Sequence, residues 1–416
     1  MLNFKPDAKE IDKIKNFTKK EKDFRVKNLQ NFNSVGFPNK KNEDWKFLDL
    51  NNIISKNFNK LHLTNKIFEE KKINYIKEFE HNFVVLTNGK LTDSNFKFED
   101  PKKISIKSYS NETFPEAEIN NPLVSLNHAL SNHGFKLEIE DNYKFKKILV
   151  VYNLYTEELN ENILNSKNEI KIGKNSELHI LDYIVNKSKK NFFSNIYENL
   201  ILKESSIFKN IVINNEKNCG YFHKYSKNTL FSKANYSAFV FPSGLKFNKL
   251  DFEFDLLGED CECNLKAASL LHKGDQQEIK TRINHLTPNC KSYQKVKNVL
   301  DKESKGIYQG KIYVKDVAQK TDAYQLSKAI LLSEDSEFNS KPELEIYADD
   351  VKCSHGSTSG NIDQDSIYYL MTRGLSKKES TKLLINGFLN EIIETLKSKS
   401  IKEFIQNKLN KQIYEY

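Results

Sequence analysis

A chain of 416 residues with 38% hydrophobic and 29% charged residues, 28 Phe and 19 Tyr can bury a large core or two to three domains, and is too aromatic for wholesale disorder. Its formal charge of +9 raises a nucleic-acid partner, but all except Arg25, Arg282 and Arg373 of its 65 basic residues are lysines, whereas bidentate contacts to phosphate and guanine favour arginine. Nucleic-acid binding is therefore set aside. Residues 1–20 lack the apolar stretch of a signal peptide and no run approaches the ~20 apolar residues of a membrane span, so the expected location is cytoplasmic, or an organelle stroma after loss of a transit peptide.

In chain order, Ile11, Ile14, Phe17, Phe24 and Leu29 are spaced as one apolar face of a helical region, which breaks at Gly36-Phe37-Pro38. Residues 83–86 form a short strand candidate ending at the turn Asn88-Gly89. Residues 122–130 are a predicted helix with Asn121 as its cap and Pro122 in its first turn. From about residue 142 the texture turns to strands: residues 148–154, 177–185, 195–202 and 208–213, and then 250–256, which alternate strictly as Leu-Asp-Phe-Glu-Phe-Asp-Leu. Polar turns recur near Asn175, Ser205, Asp260, Ser304 and Asp335, at spacings too irregular to establish a repeat. So many short strands suggest a sandwich, a barrel or a stacked solenoid, and neither spacing nor the low Gly and Pro counts chooses among them. Helix returns after Gly356. Asp363 caps residues 364–372, Gly374 ends that helix, and Ser376-Lys377-Lys378-Glu379 fits a capping box. Leu384, Phe388, Ile392 and Leu396 then step by four beside Ile385, Leu389 and Ile393, a wide stripe that faces either the chain's own core or a partner.

Five cysteines (Cys219, Cys261, Cys263, Cys290 and Cys353) and no Cys-x-x-C read as reduced thiols, which argues against a zinc ribbon or a ferredoxin-type site. The densest chemistry lies in residues 341–360, KPELEIYADDVKCSHGSTSG. Residues 343–351 read as a strand with Cys353-Ser354-His355 following directly. On a strand, positions two apart share a face, so Cys353 and His355 would present a thiol and an imidazole side by side, both suitable ligands for iron, zinc or an iron–sulfur cluster, although on spacing alone a lone Cys-x-His is more often structural. Two ligands are too few for a stable site, and the others would come from elsewhere in the fold or from another subunit. Asp349-Asp350 reads as a solvated turn or strand end. Cys261 and Cys263 read as small buried hydrophobes, with Cys219 and Cys290 standing alone; His272 and His285 read as structural. Gly306, Gly310 and Lys311 resemble a phosphate loop, but they have one residue too few between the glycines and Ile312 where Ser or Thr belongs. No nucleotide site and no self-sufficient enzyme is expected.

The stretches GKIYVKDVAQKTDAYQ from Gly310, KPELEIYADDVKCSHGSTSG from Lys341, IYYLMTRGL from Ile367 and INGFLNEII from Ile385 resemble the SufB/SufD family of the SUF iron–sulfur cluster assembly machinery. Within it, GFPNKKNEDWKFLDL from Gly36, with the only tryptophan at Trp45, and the Cys-Ser-His-Gly form of the C-terminal motif are similar to the SufD kind and not to SufB. Leu126-Asn127-His128-Ala129 is a briefer match.

The resemblance implies a mainly β chain: a right-handed parallel β-helix core over residues 141–358, between a mostly helical region 1–140 and a helical region 359–416. It implies a scaffold that pairs with a SufB-type paralogue and a SufC-type ABC ATPase, with transient iron or a nascent cluster held at the SufB–SufD interface. His355 is then the first-choice ligand and Cys353 the second, and Leu384, Phe388, Ile392 and Leu396 are candidates for the partner-binding face in the C-terminal region. Sulfur is expected to arrive through the SufB-type subunit. A homodimer of the isolated chain through edge strands is left open. Two other readings remain: an enzyme on a β-solenoid, disfavoured by the lack of a carboxylate constellation, and an interaction subunit that ligates nothing.

Overall fold

The computed structural model describes residues 5–14, 17–58, 60–63, 73–109, 119–214 and 218–415. Its centre is a parallel β-solenoid of about seven turns. The chain alternates between two ten-stranded sheets. One, the first sheet, takes Asn162–Ile172, Phe192–Leu202, Asn218–Leu230, Leu245–Leu256, Gln276–His285, Lys305–Val314 and Glu337–Ile346. The second takes Leu149–Tyr155, Glu177–Asn186, Ile207–Asn214, Asn235–Pro242, Glu262–Leu271, Lys291–Leu300, Asp322–Leu331 and Lys352–Asn361. The hairpin Asn82–Thr87 with Lys90–Asn95, and the antiparallel pair Ile104–Ser108 with Phe135–Ile139, close the N-terminal end of the two sheets.

The period-two pattern explains the winding. Leu250, Phe252, Phe254 and Leu256 point inward and pack with Leu200, Leu230, Val240 and Ala267. Their alternates Asp251, Glu253 and Asp255 stand on the outer face, where Lys227 bridges Glu253 and Asp255 at 2.7 Å each. Each coil ends at a corner where one residue takes a left-handed conformation: Asn142, Asn175, Ser205, Lys233, Asp260, Asn289 and Lys320 in turn, 27 to 33 residues apart. The amide of each corner residue donates to a carbonyl of the next coil, from Asn142 to Lys174 (2.7 Å) through to Lys320 to Asp350 (2.5 Å). That stack of turns is the repeat. The turns near Ser304 and Asp335 lie at a different corner, which is why the spacings between polar turns look irregular.

Both outer faces are covered. Against the first sheet's Ile163, Phe193, Phe247 and Ile307 lie Leu29, Phe32, Trp45, Leu50, Leu126 and Leu130 of the N-terminal region. Against the second sheet's Leu181, Ile211, Phe239, Phe241 and Leu270 lie Ile385, Leu389, Ile392, Ile393, Phe404, Ile405 and Leu409 of the C-terminal helices Lys377–Ile393 and Lys399–Glu415. Each such side chain contributes about 1.5–3 kcal/mol on full burial. The helix Pro122–Leu130 is capped by the Asn121 side chain, which accepts from the Leu123 amide at 2.9 Å. Asn127 ties that helix to two coils, donating to the carbonyls of Ser166 (2.8 Å) and Asn195 (2.9 Å). No helix among the described residues is long and apolar enough to cross a membrane.

The segment 343–351 is not one strand running into Cys353. Glu337–Ile346 ends the first sheet, Tyr347, Ala348, Asp349, Asp350 and Val351 turn the corner, and Lys352–Asn361 begins the last strand of the second sheet. Exposed Asp349 and Asp350 serve that corner, the Asp350 amide donating to Gln319 Oε1 at 2.9 Å. Gly306, Gly310 and Lys311 lie inside the strand Lys305–Val314 and not in a loop.

Candidate functional site

Glu337–Ile346 and Lys352–Asn361 are the terminal strands of their sheets, each paired on one edge only. The solenoid therefore ends open, with no further coil above them among the described residues. Strand pairing sets Cys353 opposite Ala323, His355 opposite Gln325 and Ser357 opposite Ser327. Ser327 is buried and bonds both Ser340 across the interior (2.8 Å) and Ser357 (3.0 Å), so Ser357 faces inward. By the two-residue alternation Cys353 and His355 face inward with it. The thiol and the imidazole thus share one face on the top rung, as the spacing predicts.

The two differ in setting. Cys353 is half-buried among Ile312, Val314, Ala318, Ala323 and Leu344, and burial raises its thiol pKa above the ordinary value. The thiol is therefore protonated at neutral pH, and a metal must displace the proton to bind. His355 is exposed, and its imidazole makes no hydrogen bond within the described residues. Neutral imidazole is a ready ligand for iron.

Below His355 the interior is polar. Gln325 donates to the Glu343 carbonyl (3.3 Å), and the Tyr308 hydroxyl lies 3.1 Å from Gln325 Oε1 and 3.0 Å from Gln294 Oε1. Thr281 donates to the same Gln294 oxygen at 2.5 Å. This floor accounts for a glycine: a Cβ on Gly310 would lie 2.0 Å from Gln325 Oε1 and 2.5 Å from the Tyr308 hydroxyl. Gln294, Tyr308 and Gln325 carry no motif by themselves, and the pairing across coils that joins them is invisible in sequence. Among the described residues no three His, Cys, Asp or Glu side chains gather as a metal set.

The N-terminal motif reaches toward this end. Trp45 is buried with the Lys249 ammonium 4.6 Å from its ring centroid, and Lys249 is paired with Glu278 and, at 3.2 Å, with Asp251. Asp44 meets Lys280 at 2.6 Å and Glu43 meets Lys341 at 2.5 Å. The motif is a clamp that holds the N-terminal region to the outer face of the first sheet, as far as its last strand.

The C-terminal stripe is mostly occupied by the chain itself. Ile392 is fully buried, and Phe388 and Leu396 pack partly buried against the second sheet's outer cluster; Leu384 is half-buried. What this region leaves to solvent is a different set: Tyr368 (69% exposed), Tyr369 (57%) and Met371 on the helix Gln364–Thr372, with Leu383 (52%) on the next. Of the remaining singled-out residues, His285 is buried with Nε2 2.9 Å from Ser292 Oγ. His272, with Cys219, Lys246 and Asp275, lines a surface cavity of about 460 Å³. Cys261 and Cys263 both face the interior core, but Cys290 does not stand alone: it meets Cys261 across one coil.

Residues 154–388 match the family described as SUF system FeS cluster assembly, SufBD core domain. That span holds Cys353, His355 and the exposed tyrosines. The chain is 22% identical over 391 residues to the iron-sulfur cluster assembly protein SufD of Escherichia coli (strain K12), covering 92% of this chain and 91% of that one. It is 24% identical over 385 residues to an iron-sulfur cluster assembly SufBD family protein of Synechocystis, covering 87% and 84%. A shorter stretch of 142 residues is 30% identical to the SufD of Bacillus subtilis (strain 168), covering 34% and 32%. An inward-facing Cys-x-His on the last rung of a parallel solenoid and a family match over more than half the length agree: the chain belongs to the SufB/SufD family of the SUF iron–sulfur cluster assembly system, and is of the SufD type.

Proposed function

We propose that this chain is a non-catalytic scaffold subunit, and that its open end joins a SufB-type paralogue so that iron enters, and a nascent cluster forms, at the junction. The observation that carries this reading is the pairing of Cys353 and His355 on a rung whose strand has one free edge. Two ligands facing an open end make half a site. A second solenoid end, docked strand to strand along the free edges, would supply main-chain hydrogen bonds and the missing ligands together. His355, exposed and unbonded, is the first ligand that iron meets; Cys353, still protonated, binds later or not at all.

In the same reading ATP is used by a SufC-type ATPase, and this chain binds no nucleotide. Its docking face is the exposed apolar set Tyr368, Tyr369, Met371 and Leu383, not the buried stripe of Phe388, Ile392 and Leu396. Hydrolysis there would move the Gln364–Thr372 helix, which follows directly on the strand bearing His355. The expected setting is the cytoplasm. Anaerobic reconstitution of the SufB-type and SufC-type partners, with and without this chain, tests the proposal: iron and sulfide should be retained only when the chain is present. Equal retention in its absence would reduce it to an accessory of assembly.

A further inference from the structure

Cys261 and Cys290 occupy the same corner in two successive coils. The ladder pairs Glu262 with Lys291, and the Lys291 amide donates to the Cys261 carbonyl at 2.8 Å. Both side chains are fully buried and both aim at one acceptor: the Gly258 carbonyl lies 3.1 Å from Cys261 Sγ and 3.3 Å from Cys290 Sγ. The two thiols are near enough that each shifts the other's pKa. Adjacent rungs lie about 4.8 Å apart, within the ~4.4–6.8 Å between α-carbons that a disulfide spans. The shared carbonyl is held in place, because a Cβ on Gly258 would lie 1.9 Å from the Ser232 nitrogen of the coil before. In the flanking coils the column continues as Ala234 and Thr321, so the thiols form an isolated pair.

We propose that Cys261 and Cys290 form a redox-active dithiol that closes to a disulfide between coils by exchange with a low-molecular-weight disulfide. The Cys290 thiolate attacks one sulfur of the small disulfide, forming a mixed disulfide and releasing one small thiolate. Cys261 then gives up its proton and attacks the Cys290 sulfur, expelling the second small thiolate. Two protein thiols and one small disulfide become one protein disulfide and two small thiols, the two protons passing to the departing thiolates. The assignment of roles follows the contact between them. The proximity of Cys261 lowers the Cys290 thiol pKa against the effect of burial, while Cys261 itself is raised by that same proximity and by burial. A thiol with a pKa near ambient pH is the better attacking group. The pair lies beneath the turns around Asp260 and Asn289, both left-handed, and opening of these turns is the step that admits the oxidant. The link would tie two middle coils of the solenoid covalently, independently of the chemistry at its open end.

The full-length chain, reduced and then equilibrated anaerobically in glutathione buffers of graded disulfide content, tests this. After acid quenching and alkylation, peptide mass mapping should show two of the five thiols lost together as a Cys261–Cys290 link while Cys263 stays free. Dithiothreitol should restore both. Cys261→Ser should stop at glutathione bound to Cys290. The wild-type melting temperature should rise on oxidation by about 3 °C or more, and that rise should vanish in the variant. Cys261 and Cys290 both still alkylatable in buffers that oxidise Cys219 or Cys353 would overturn the proposal and leave them as two buried apolar side chains. Should Cys261→Ser not fold, the wild-type map alone decides.

Discussion

His285 is buried to the last atom, and burial draws its pKa down to about 4 from an unfolded value near 6.5. Its neutral form is therefore the folded form. Between these two values the unfolded chain binds the extra proton, so this histidine's share of stability is complete above pH 6.5 and is lost as the pH falls toward 4, a loss of about 3 kcal/mol at most. Urea melts at pH 4.5 and 7.0 should show a shallower acid loss for His285→Gln than for the wild type; equal slopes would mean that His285 titrates normally. His62, drawn to about 4 by burial and by His133, adds to the wild-type slope, so the variant flattens it only in part. At this same scale Cys353 and His355 could be read from spacing alone, since two residues on one strand need no long-range information to share a face. The Cys261–Cys290 contact could not: it depends on a coil length that no local pattern states.

Corners and caps carry the elements. Gly258 runs so close to Ser232 that Gly258→Ala should destabilise the chain by about 3 kcal/mol, whereas Gly360→Ala, with nothing within 4 Å of the new Cβ, should change stability by less than ~0.5 kcal/mol. Thermal melts of the pair check this, and equal melts would refute the close approach. The helices at 122–130, 364–372 and 377–393 were legible because Asn121, Asp363 and Ser376 bond their first-turn amides, with Glu379 closing a full capping box. The face of the last of these helices was not legible. Two apolar rows side by side fit a core or a partner equally, and only the neighbouring outer face of the second sheet decides for the core. Replacing Tyr369 and Leu383 together by Glu should therefore release the SufC-type ATPase on size exclusion while leaving the melting temperature within about 2 °C, since both side chains are mostly exposed. Retention of the ATPase by the double variant would move the docking face elsewhere.

Over the whole molecule, the solenoid hides in the sequence because the corner that recurs in coil after coil is not marked by glycine. The left-handed positions hold Asn, Asn, Ser, Lys, Asp, Asn and Lys, of which only Asn and Asp take that conformation with some ease. Local strands were legible from their alternation, their stacking order was not, and it was the resemblance of the long C-terminal motifs that pointed to a β-helix among the three all-β options. The open end has the same character. Nothing local in KPELEIYADDVKCSHGSTSG marks two last strands on two sheets, with a corner of five residues between them. An unpaired strand edge, an exposed imidazole and a half-buried thiol together are what a second subunit would complete. The most direct test is the iron and acid-labile sulfide content of the chain isolated anaerobically with its SufB-type and SufC-type partners, wild type against His355→Ala, with complex integrity followed by size exclusion. An intact mutant complex that has lost most of its iron and sulfide is the predicted result; an intact mutant complex with unchanged content would contradict ligation by His355.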